Sequence, residues 1–405
     1  MIVTIDGIAA GGDGVARLQD GMAVFVPRTA PGDRVDIEVV ERRKRFARGR
    51  VSAVVAGAPT RVEPRCRHYD EDACGGCQLQ HLAYESQLAV KRTMVGDALR
   101  RIGKFEIDDP PIVPADQQWA YRNKVSLAVQ GTTIGFHQIG RPEAIFGLDR
   151  CAISDAGLMD LWADLHRHVS LLPNMQRVVL RLDREAGFHV IVEGDEVNVW
   201  DPTPLVDALA RPDVSIWWKP AGGASRIIAG PETGFPAMAF DQVNSKLATQ
   251  LRERLVEIAG DVAGAVVWDL YGGVGDTASL LATAGARVWS VDADRSAIAW
   301  GRRKLAHEHV TRIAESAEGA MHRLPEPALV VVNPPRTGLG ERVAAWLDKW
   351  GSDRIGRRLL YVSCDPATLA RDLGRMPAFT ICSIEAFDLF PQTSHVESLT
   401  LLESR

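Results

Sequence analysis

The chain has 405 residues, of which 46% are apolar and 24% are charged, and its net charge at pH 7 is −5. This length predicts two or three domains, and the composition excludes a generally disordered chain. The overall acidity argues against a protein that coats nucleic acid, although an acidic chain can still have a local basic surface. The sequence has no run of about 18 apolar residues and begins without a signal-peptide pattern, so we expect a cytoplasmic protein that does not use a membrane.

Residues 1–57 alternate short β-rich runs with glycine turns, which predicts a small β-barrel. The stretch resembles the TRAM domain, an RNA-binding barrel of the OB type. Its residues 41–50 contain six cations and one aromatic residue. Although a charged run is commonly only a solvated face, this one, in an acidic protein, favours contact with a phosphate backbone. The candidate RNA contacts in this segment are Arg42, Arg43, Lys44, Arg45 and Arg48.

A cysteine cluster follows the barrel, with Cys74 and Cys77 two residues apart across two glycines and Cys66 just before them. This spacing lets the sulfurs face one metal centre, and Cys151 is the natural fourth ligand. All-thiolate sites hold either zinc or an iron–sulfur cluster, so the spacing leaves both open. Residues 84–103 have helical periodicity, and the strand-like runs from residue 121 to 199 predict a mixed α+β central domain.

The last third alternates strands with helices, which predicts a parallel, doubly wound sheet with ligands at the carboxyl ends of its strands. A glycine loop with Tyr271, Gly273 and Asp276 follows the first strand, and the next strand ends at Asp292. Such a loop and acid suit a nucleotide-type cofactor, because the Asp292 carboxylate can accept hydrogen bonds from the ribose hydroxyls. Because Asp276 at the helix start disfavours a phosphate, S-adenosylmethionine fits better than NAD. Asn333 lies at a further strand end, before two prolines.

Cys364 stands between a short apolar strand, Leu359–Val362, and a helix start signalled by Asp365 as N-cap and Pro366. The positive end of that helix is expected to favour a thiolate, as a nucleophile requires. A free cysteine is more often a small core residue, so the role of Cys364 as a nucleophile depends on motifs elsewhere in the chain. Glu397 begins the terminal strand in an apolar context, which is expected to raise its pKa towards that of a usable base.

These motifs together resemble the bacterial RNA uridine-C5 methyltransferases that carry a TRAM domain and a cysteine-bound cluster. The resemblance runs over nearly the whole chain, and its specific stretches occur in the family's order. They are the barrel, Cys66 with Cys74–Cys77 and Cys151, Tyr121–Lys124, Phe240–Asn244, Asp269–Gly275, Asn333–Arg336, Ser363–Pro366 and His395–Glu397. Asn333 departs from the more frequent Asp, Gly272 from a frequent Cys, and Asp276 from a frequent Asn or Thr.

The resemblance implies that Cys364 is the nucleophile and Glu397 the base in S-adenosylmethionine-dependent methylation of uracil C5. It implies a [4Fe-4S] cluster on the four cysteines, and a monomeric enzyme acting on RNA, with ribosomal RNA favoured over transfer RNA. The implied cofactor contacts are Gln242, Tyr271, Gly273, Asp276, Asp292 and Asn333, and Arg122 joins the RNA contacts. Two other interpretations are an amino-group methyltransferase that uses Asn333 and its prolines, and a non-enzymatic iron–sulfur protein that binds RNA or senses redox state.

The predicted architecture is therefore multidomain α/β. We expect an OB-like TRAM barrel at 1–57 and an α+β central domain with the cysteine cluster at 58–236. A Rossmann-like class I methyltransferase domain is expected at 237–405, on which the helix 84–103 is expected to pack.

Overall fold

The computed structural model describes residues 1–195, 200–232 and 234–405. In chain order the strands are β1 (Ile2–Thr4), β2 (Gly7–Ile8), β3 (Gly14–Arg17), β4 (Ala23–Val26), β5 (Arg34–Arg42), β6 (Phe46–Ala56), β7 (Ile112–Val113), β8 (Lys124–Gln130), β9 (Thr133–Gln138), β10 (Arg141–Gly147), β11 (Arg177–Leu182), β12 (Phe188–Gly194), β13 (Val214–Pro220), β14 (Arg226–Ala229), β15 (Val266–Leu270), β16 (Arg287–Asp292), β17 (Val310–Ala314), β18 (Leu329–Val332), β19 (Arg358–Ser363), β20 (Phe379–Phe387) and β21 (Glu397–Ser404). The helices are α1 (Arg67–Asp70), α2 (Tyr84–Arg101), α3 (Ala156–Arg167), α4 (Thr203–Leu209), α5 (Ser245–Ala259), α6 (Asp276–Thr283), α7 (Arg295–Lys304), α8 (Ala317–Ala320), α9 (Glu341–Ser352) and α10 (Pro366–Gly374), with a 3₁₀ turn at Val169–Leu171.

The chain forms two compact units, each built from separate stretches. The first unit comprises Met1–Glu63, Gln78–Asp116 and Lys246–Arg405, and the second comprises Pro64–Cys77 and Gln117–Ser245. The three domain ranges expected from the sequence stay a prediction. Within the described ranges, a helix with the length and apolar character needed to cross a membrane is absent.

The N-terminal part of the first unit is a six-stranded sheet in the order β1-β5-β6-β4-β3-β2. Its neighbouring strands pair antiparallel, apart from β4 and β6, which are parallel. Alternation places Val35 and Ile37 of β5 in the core, where they pack with Val24 and Val26 of β4. The long strands β5 and β6 are joined by the turn that carries the basic segment.

The C-terminal part of the first unit is a sheet in the order β17-β16-β15-β18-β19-β21-β20-β7. Strands β15 to β19 are parallel, which confirms the doubly wound sheet predicted from the sequence. The strand β21 runs antiparallel between β19 and β20. The strands are apolar on both faces because helices cover both of them, and α2 packs against α10 through a core that includes Val95 and Leu99.

The second unit contains a seven-stranded sheet in the order β10-β9-β8-β11-β12-β13-β14, with α3 packed on one face. Trp162 of α3 is fully buried there and its Nε1 donates a hydrogen bond to the Leu148 carbonyl at 3.0 Å. The loop that carries three of the cysteines joins this sheet through a bridge between Cys74 and Gln138. The sheet therefore supports the cysteine-bearing loop.

Candidate active site

Cys364 immediately follows β19 and precedes α10, as the sequence predicted. The Asp365 carboxylate caps the helix by accepting the Thr368 N–H at 2.8 Å, and Pro366 occupies the first helical turn. The cap fixes the sharp change of direction between strand and helix. The Cys364 side chain is thereby held at the carboxyl edge of the sheet and is half-buried.

The register of β19 and β21 brings Glu397 next to Cys364. Ser363 pairs with Ser398 across the antiparallel strands, and the Ser398 hydroxyl donates a hydrogen bond to the Ser363 carbonyl at 3.3 Å. Cys364 directly follows Ser363 and Glu397 directly precedes Ser398, and the charge of Glu397 acts on the Cys364 thiol. The fold therefore brings together two residues that are 33 positions apart in the chain.

Glu397 is buried, with 1% of its surface exposed, and its Oε2 has no hydrogen-bond partner among the described residues. Burial raises the pKa of this carboxyl to about 8, although the positive charge of Arg336 partly opposes the rise. This confirms the raised pKa expected from the sequence. A carboxylate that titrates near neutrality and is not engaged by the protein at one oxygen suits a general base.

The expectation of a favoured thiolate at Cys364 is wrong. Burial raises the pKa of the thiol to about 11, and the negative charge of Glu397 adds to the rise, against a lowering by Arg336. Desolvation and a neighbouring carboxylate therefore outweigh the helix N-terminus. At neutral pH these pKa values give a thiol at Cys364 beside a largely protonated carboxyl group at Glu397.

Arg336 is the residue that sequence reasoning left without a role at this site. Its side chain is exposed, its Nη2 lies 3.4 Å from His395 Nε2, and its charge acts on both Cys364 and Glu397. The Thr368 hydroxyl of α10 donates to the Arg336 carbonyl at 3.1 Å, which ties the loop to the helix behind Cys364. Its place in the Asn-Pro-Pro-Arg motif was the signal available in the sequence.

The glycine loop after β15 adopts an unusual backbone, with φ of 63° at Tyr271 and 58° at Gly273. A side chain at Gly272 is excluded because its Cβ would overlap the Asp269 carboxylate and the Ser290 hydroxyl. Burial raises the pKa of Asp269 to about 6, while the Ser290 hydroxyl donates a hydrogen bond to it at 2.9 Å. This buried pair therefore lies directly under the loop and shapes it.

Asp292, at the end of β16, binds the same loop. Its Oδ2 accepts the Gly273 N–H at 2.8 Å and its Oδ1 accepts the Asp294 N–H at 2.8 Å. Each carboxylate oxygen has a further lone pair, so the Asp292 side chain can still accept hydrogen bonds from ribose hydroxyls. The strand end thus sets the position of the loop as well as offering acceptors to a ligand.

Asp276 and Asn333 complete the polar strand ends of this edge. Asp276 begins α6 and its Oδ2 lies 3.3 Å from Arg252 Nη2, so part of its charge is already paired. Asn333 is half-buried and its backbone N–H donates to the Leu270 carbonyl at 3.2 Å, which brings the end of β18 beside the glycine loop. Tyr271, Gly273, Asp276, Asp292 and Asn333 are therefore gathered at one edge of one sheet.

Two residues expected at the site belong to the second unit. Gln242 is half-buried there, and its carbonyl accepts a hydrogen bond from Asn123 Nδ2 at 3.3 Å. Arg122 donates from Nε to the Lys124 carbonyl at 2.8 Å. Their expected contacts with cofactor and RNA stay predictions.

Three of the four candidate ligand cysteines share one buried cluster of the second unit. Cys66, Cys77 and Cys151 pack together with Tyr69 and Tyr121. Burial raises the pKa of Cys151, and the charge of Cys66 adds to the rise, as expected for neighbouring thiols.

Cys74 belongs to the same loop, and its Sγ accepts the Gly76 N–H at 3.4 Å. Within the ranges that the structure describes, no group of three or more His, Cys, Asp or Glu side chains is arranged around a single metal ion.

The basic segment of the barrel is exposed, and much of its charge is paired. Arg42 pairs with Asp20, and Arg43 lies 2.5 Å from a Glu41 oxygen. Lys44 and Arg45, at the turn, have no ion pair among the described residues, and Phe46 beside them packs edge-on against Phe25. The turn thus offers two unpaired cations next to an aromatic ring.

Comparisons with known proteins agree with this arrangement. Residues 1–52 match the TRAM domain family, and residues 326–405 match the family described as tRNA (Uracil-5-)-methyltransferase. The 23S rRNA (uracil(1939)-C(5))-methyltransferase of Halomonas elongata is 30% identical over 99% of this chain and 89% of its own. The chain belongs to the RNA uracil-C5 methyltransferases.

Two further comparisons place this chain beside a transfer-RNA enzyme. The tRNA (uracil(54)-C(5))-methyltransferase of Pyrococcus abyssi is 30% identical over 94% of the chain and 95% of its own. The crystal structure of that type of enzyme from Pyrococcus abyssi, in complex with S-adenosyl-L-homocysteine, superposes with a TM-score of 0.75. It covers 99% of both chains at 28% identity. The family and the class I methyltransferase fold expected from the sequence are therefore confirmed.

Proposed function

We propose that this protein uses S-adenosylmethionine to methylate C5 of a uridine in RNA, with Cys364 as nucleophile and Glu397 as base. The observation that carries the proposal is that β19 and β21 bring these two residues close enough for the charge of Glu397 to act on the Cys364 thiol, at the sheet edge where the glycine loop lies. An amino-group methyltransferase would have no use for such a pair. Membership in the family supports the same reaction.

Uracil C5 is too weak a nucleophile to take a methyl group unaided. Addition of the Cys364 thiolate to C6 moves an electron pair to C5, which then attacks the methyl group that the sulfonium cofactor supplies. Glu397 takes the proton from C5, the electron pair re-forms the C5–C6 double bond, and the thiolate leaves. The proton from C5 is the one proton released overall. A flipped, unstacked base exposes both faces to these groups.

Residues at the strand ends are suited to the cofactor by their chemistry. Asp292 offers acceptors for the ribose hydroxyls, and the backbone of Gly273 permits a close approach. We propose Tyr271, Asp276, Asn333 and Gln242 as the further contacts. The partly paired Asp276 retains negative charge that suits a sulfonium or an amino group.

We propose that Cys66, Cys74, Cys77 and Cys151 hold a [4Fe-4S] cluster. The donor set fits, because the six cysteines are all thiols and three of these four pack in one buried cluster. The hydrogen bond from Gly76 N–H to Cys74 Sγ is of the kind that tunes such clusters. The cluster would order the loop rather than take part in methyl transfer.

We propose ribosomal RNA as the substrate, with a transfer-RNA uridine as the second candidate. Of the relatives that are 30% identical to this chain, one is named as a 23S rRNA methyltransferase and another as a tRNA methyltransferase. The basic turn at Lys44 and Arg45, and Arg122, are proposed to bind the phosphate backbone. We propose that the enzyme acts as a monomer in the cytoplasm.

The covalent mechanism is tested with RNA that contains 5-fluorouridine, because fluorine cannot leave as a proton and the adduct is trapped. Wild-type protein with S-adenosylmethionine should form an adduct that survives SDS, and Cys364→Ala should form none. Trapping by Cys364→Ala at the wild-type level would overturn the mechanism. Mapping of 5-methyluridine in ribosomal and transfer RNA from a deletion strain then identifies the substrate, since one of the two should lose a single methyl group.

A further inference from the structure

The nine residues 388–396, here called the base loop, connect β20 to the first residue of β21, which is Glu397. At the centre of this loop Gln392 has φ of 71°, in the left-handed region that disfavours residues with a side chain. A residue held there carries strain on the order of 1 kcal/mol or more, and it keeps this conformation only when its surroundings enforce it. Gln392 is 2% exposed, so those surroundings are protein.

Gln87 of α2 forms a reciprocal pair with Gln392. The Gln87 Nε2 donates to Gln392 Oε1 at 3.0 Å, and the Gln392 backbone N–H donates to Gln87 Oε1 at 3.0 Å. Gln87 Nε2 also donates to the Leu82 carbonyl at 3.0 Å, and Gln87 itself is 1% exposed. The orientation of a buried amide is determined by its hydrogen-bond partners, so the pair fixes both the side chain and the backbone of Gln392.

Lys91 lies one turn further along α2 and binds the beginning of the base loop. Its ammonium group pairs with the Asp388 carboxylate and donates to the Phe390 carbonyl at 3.0 Å. Both charged side chains are fully buried. A buried pair adds little net stability but strongly penalises any conformation that separates its members. It therefore holds Asp388 and Phe390 in one arrangement relative to α2.

The stretch just before α2 binds the other side of the loop. The backbone N–H groups of Gln78 and Leu79 donate to the Gln392 carbonyl at 3.2 and 3.0 Å, and Gln78 Oε1 accepts the Ser394 N–H at 3.1 Å. The barrel reaches the same place, because a Cβ at Gly12 would lie 2.5 Å from Gln78 Cβ and 3.2 Å from Ser394 Cβ. The base loop is thus fixed at residues 388, 390, 392 and 394, and the base follows three positions later.

We propose that Gln87 and Lys91 are positioning residues for the base: they hold the base loop so that Glu397 stays beside Cys364 during proton removal. The inference rests on the proposed function. In that reaction, addition of Cys364 and transfer of the methyl group precede any use of Glu397 as a base. A loop that has lost its fixation therefore impairs the second half of the reaction and spares the first.

The experiment follows one turnover on RNA that carries tritium at C5 of uridine, with S-adenosylmethionine in excess. Two quantities are measured: RNA linked to protein in SDS, which reports addition and methylation, and free tritium, which reports proton removal. In Gln87→Met, the adduct should form within about twofold of the wild-type rate, while tritium release slows by about tenfold or more, so that the adduct accumulates. Gln87→Glu keeps the acceptor for the Gln392 N–H and should give a smaller accumulation.

The matched control is Thr93→Val, which removes a hydrogen bond of α2 to Asp109 at 2.6 Å outside the base loop. It should leave both quantities at the wild-type level. The inference is overturned if Gln87→Met slows adduct formation and tritium release by the same factor, as general destabilisation would, or changes neither. Should Gln87→Met be insoluble, Gln392→Met removes the same side-chain bond and the same comparison decides. A wild-type protein that forms no adduct and releases no tritium would refute the proposed function instead.

Discussion

Proton removal by Glu397 should depend steeply on pH near neutrality. The carboxyl is buried, its pKa is raised to about 8, and only its ionised form can accept the C5 proton. About one molecule in ten is ionised at pH 7 and about one in a hundred at pH 6. The rate constant for tritium release from the methylated adduct should therefore fall about tenfold from pH 7 to pH 6 and become constant above about pH 9.

The assay must separate this step from the attack of Cys364, because the pKa of that thiol is also raised, to about 11. Rapid quenching at each pH gives both the adduct and the free tritium, and the rate of release per adduct isolates proton removal. Adduct formation should keep rising with pH beyond the point at which release per adduct becomes constant.

The matched variant is Glu397→Gln, which keeps the size of the side chain and removes the base. It should release tritium about 10² to 10⁴ times more slowly than wild type, with no pH dependence between 6 and 9. Release per adduct that is independent of pH in the wild type, or a Gln variant that releases tritium at the wild-type rate, would refute the assignment of Glu397 as the base.

Three further predictions concern stability, cofactor and RNA. The rise in the pKa of Glu397 from 4.5 to about 8 means that its ionisation destabilises the fold by up to about 5 kcal/mol above pH 8. Glu397→Gln should thus melt at a higher temperature than wild type at pH 8.5 and at an equal one at pH 4.5, and equal melting at both would contradict the burial argument. Asp292→Ala should weaken S-adenosylmethionine binding about tenfold or more by calorimetry, without lowering the melting temperature of the unliganded protein by more than a few degrees; unchanged affinity would remove Asp292 from the site. The double variant Lys44→Gln, Arg45→Gln should reduce the salt dependence of RNA binding by about two phosphate contacts. Arg50 is paired with Glu38, so Arg50→Gln should change the salt dependence less. Equal effects would refute RNA binding by the basic turn.

The residues of the site could be predicted because their signals are local. Asp365 and Pro366 define the helix start next to Cys364 wherever the helix lies, and the glycine loop is recognisable from its own sequence. The strand pairing that brings Cys364 and Glu397 together was beyond such local signals, since it depends on which strands pair and in which register. The burial of Glu397 could be inferred from its apolar neighbours, and the rise of its pKa could be predicted from that burial.

The direction of the pKa at Cys364 could not be read from the sequence. The helix N-terminus was visible there, whereas the depth of burial and the distance to Glu397 are properties of the assembled fold. The part played by Gln87 and Lys91 was likewise invisible, because a polar residue inside an amphipathic helix looks like a solvent-facing one until its distant partner is known.

The hydrogen bonds of the base loop join residues 305 and 297 positions apart in the chain. Contacts of such sequence separation form slowly, and segments joined by them tend to open together as one cooperative unit. The amide hydrogens of α2 and of the base loop should therefore exchange with solvent at a common rate, distinct from that of β15 and β18. It also follows that residues 237–405, expressed by themselves, would lack the helix that orders the loop before the base. An excised C-terminal domain would keep the reacting groups and lose the geometry that aligns them.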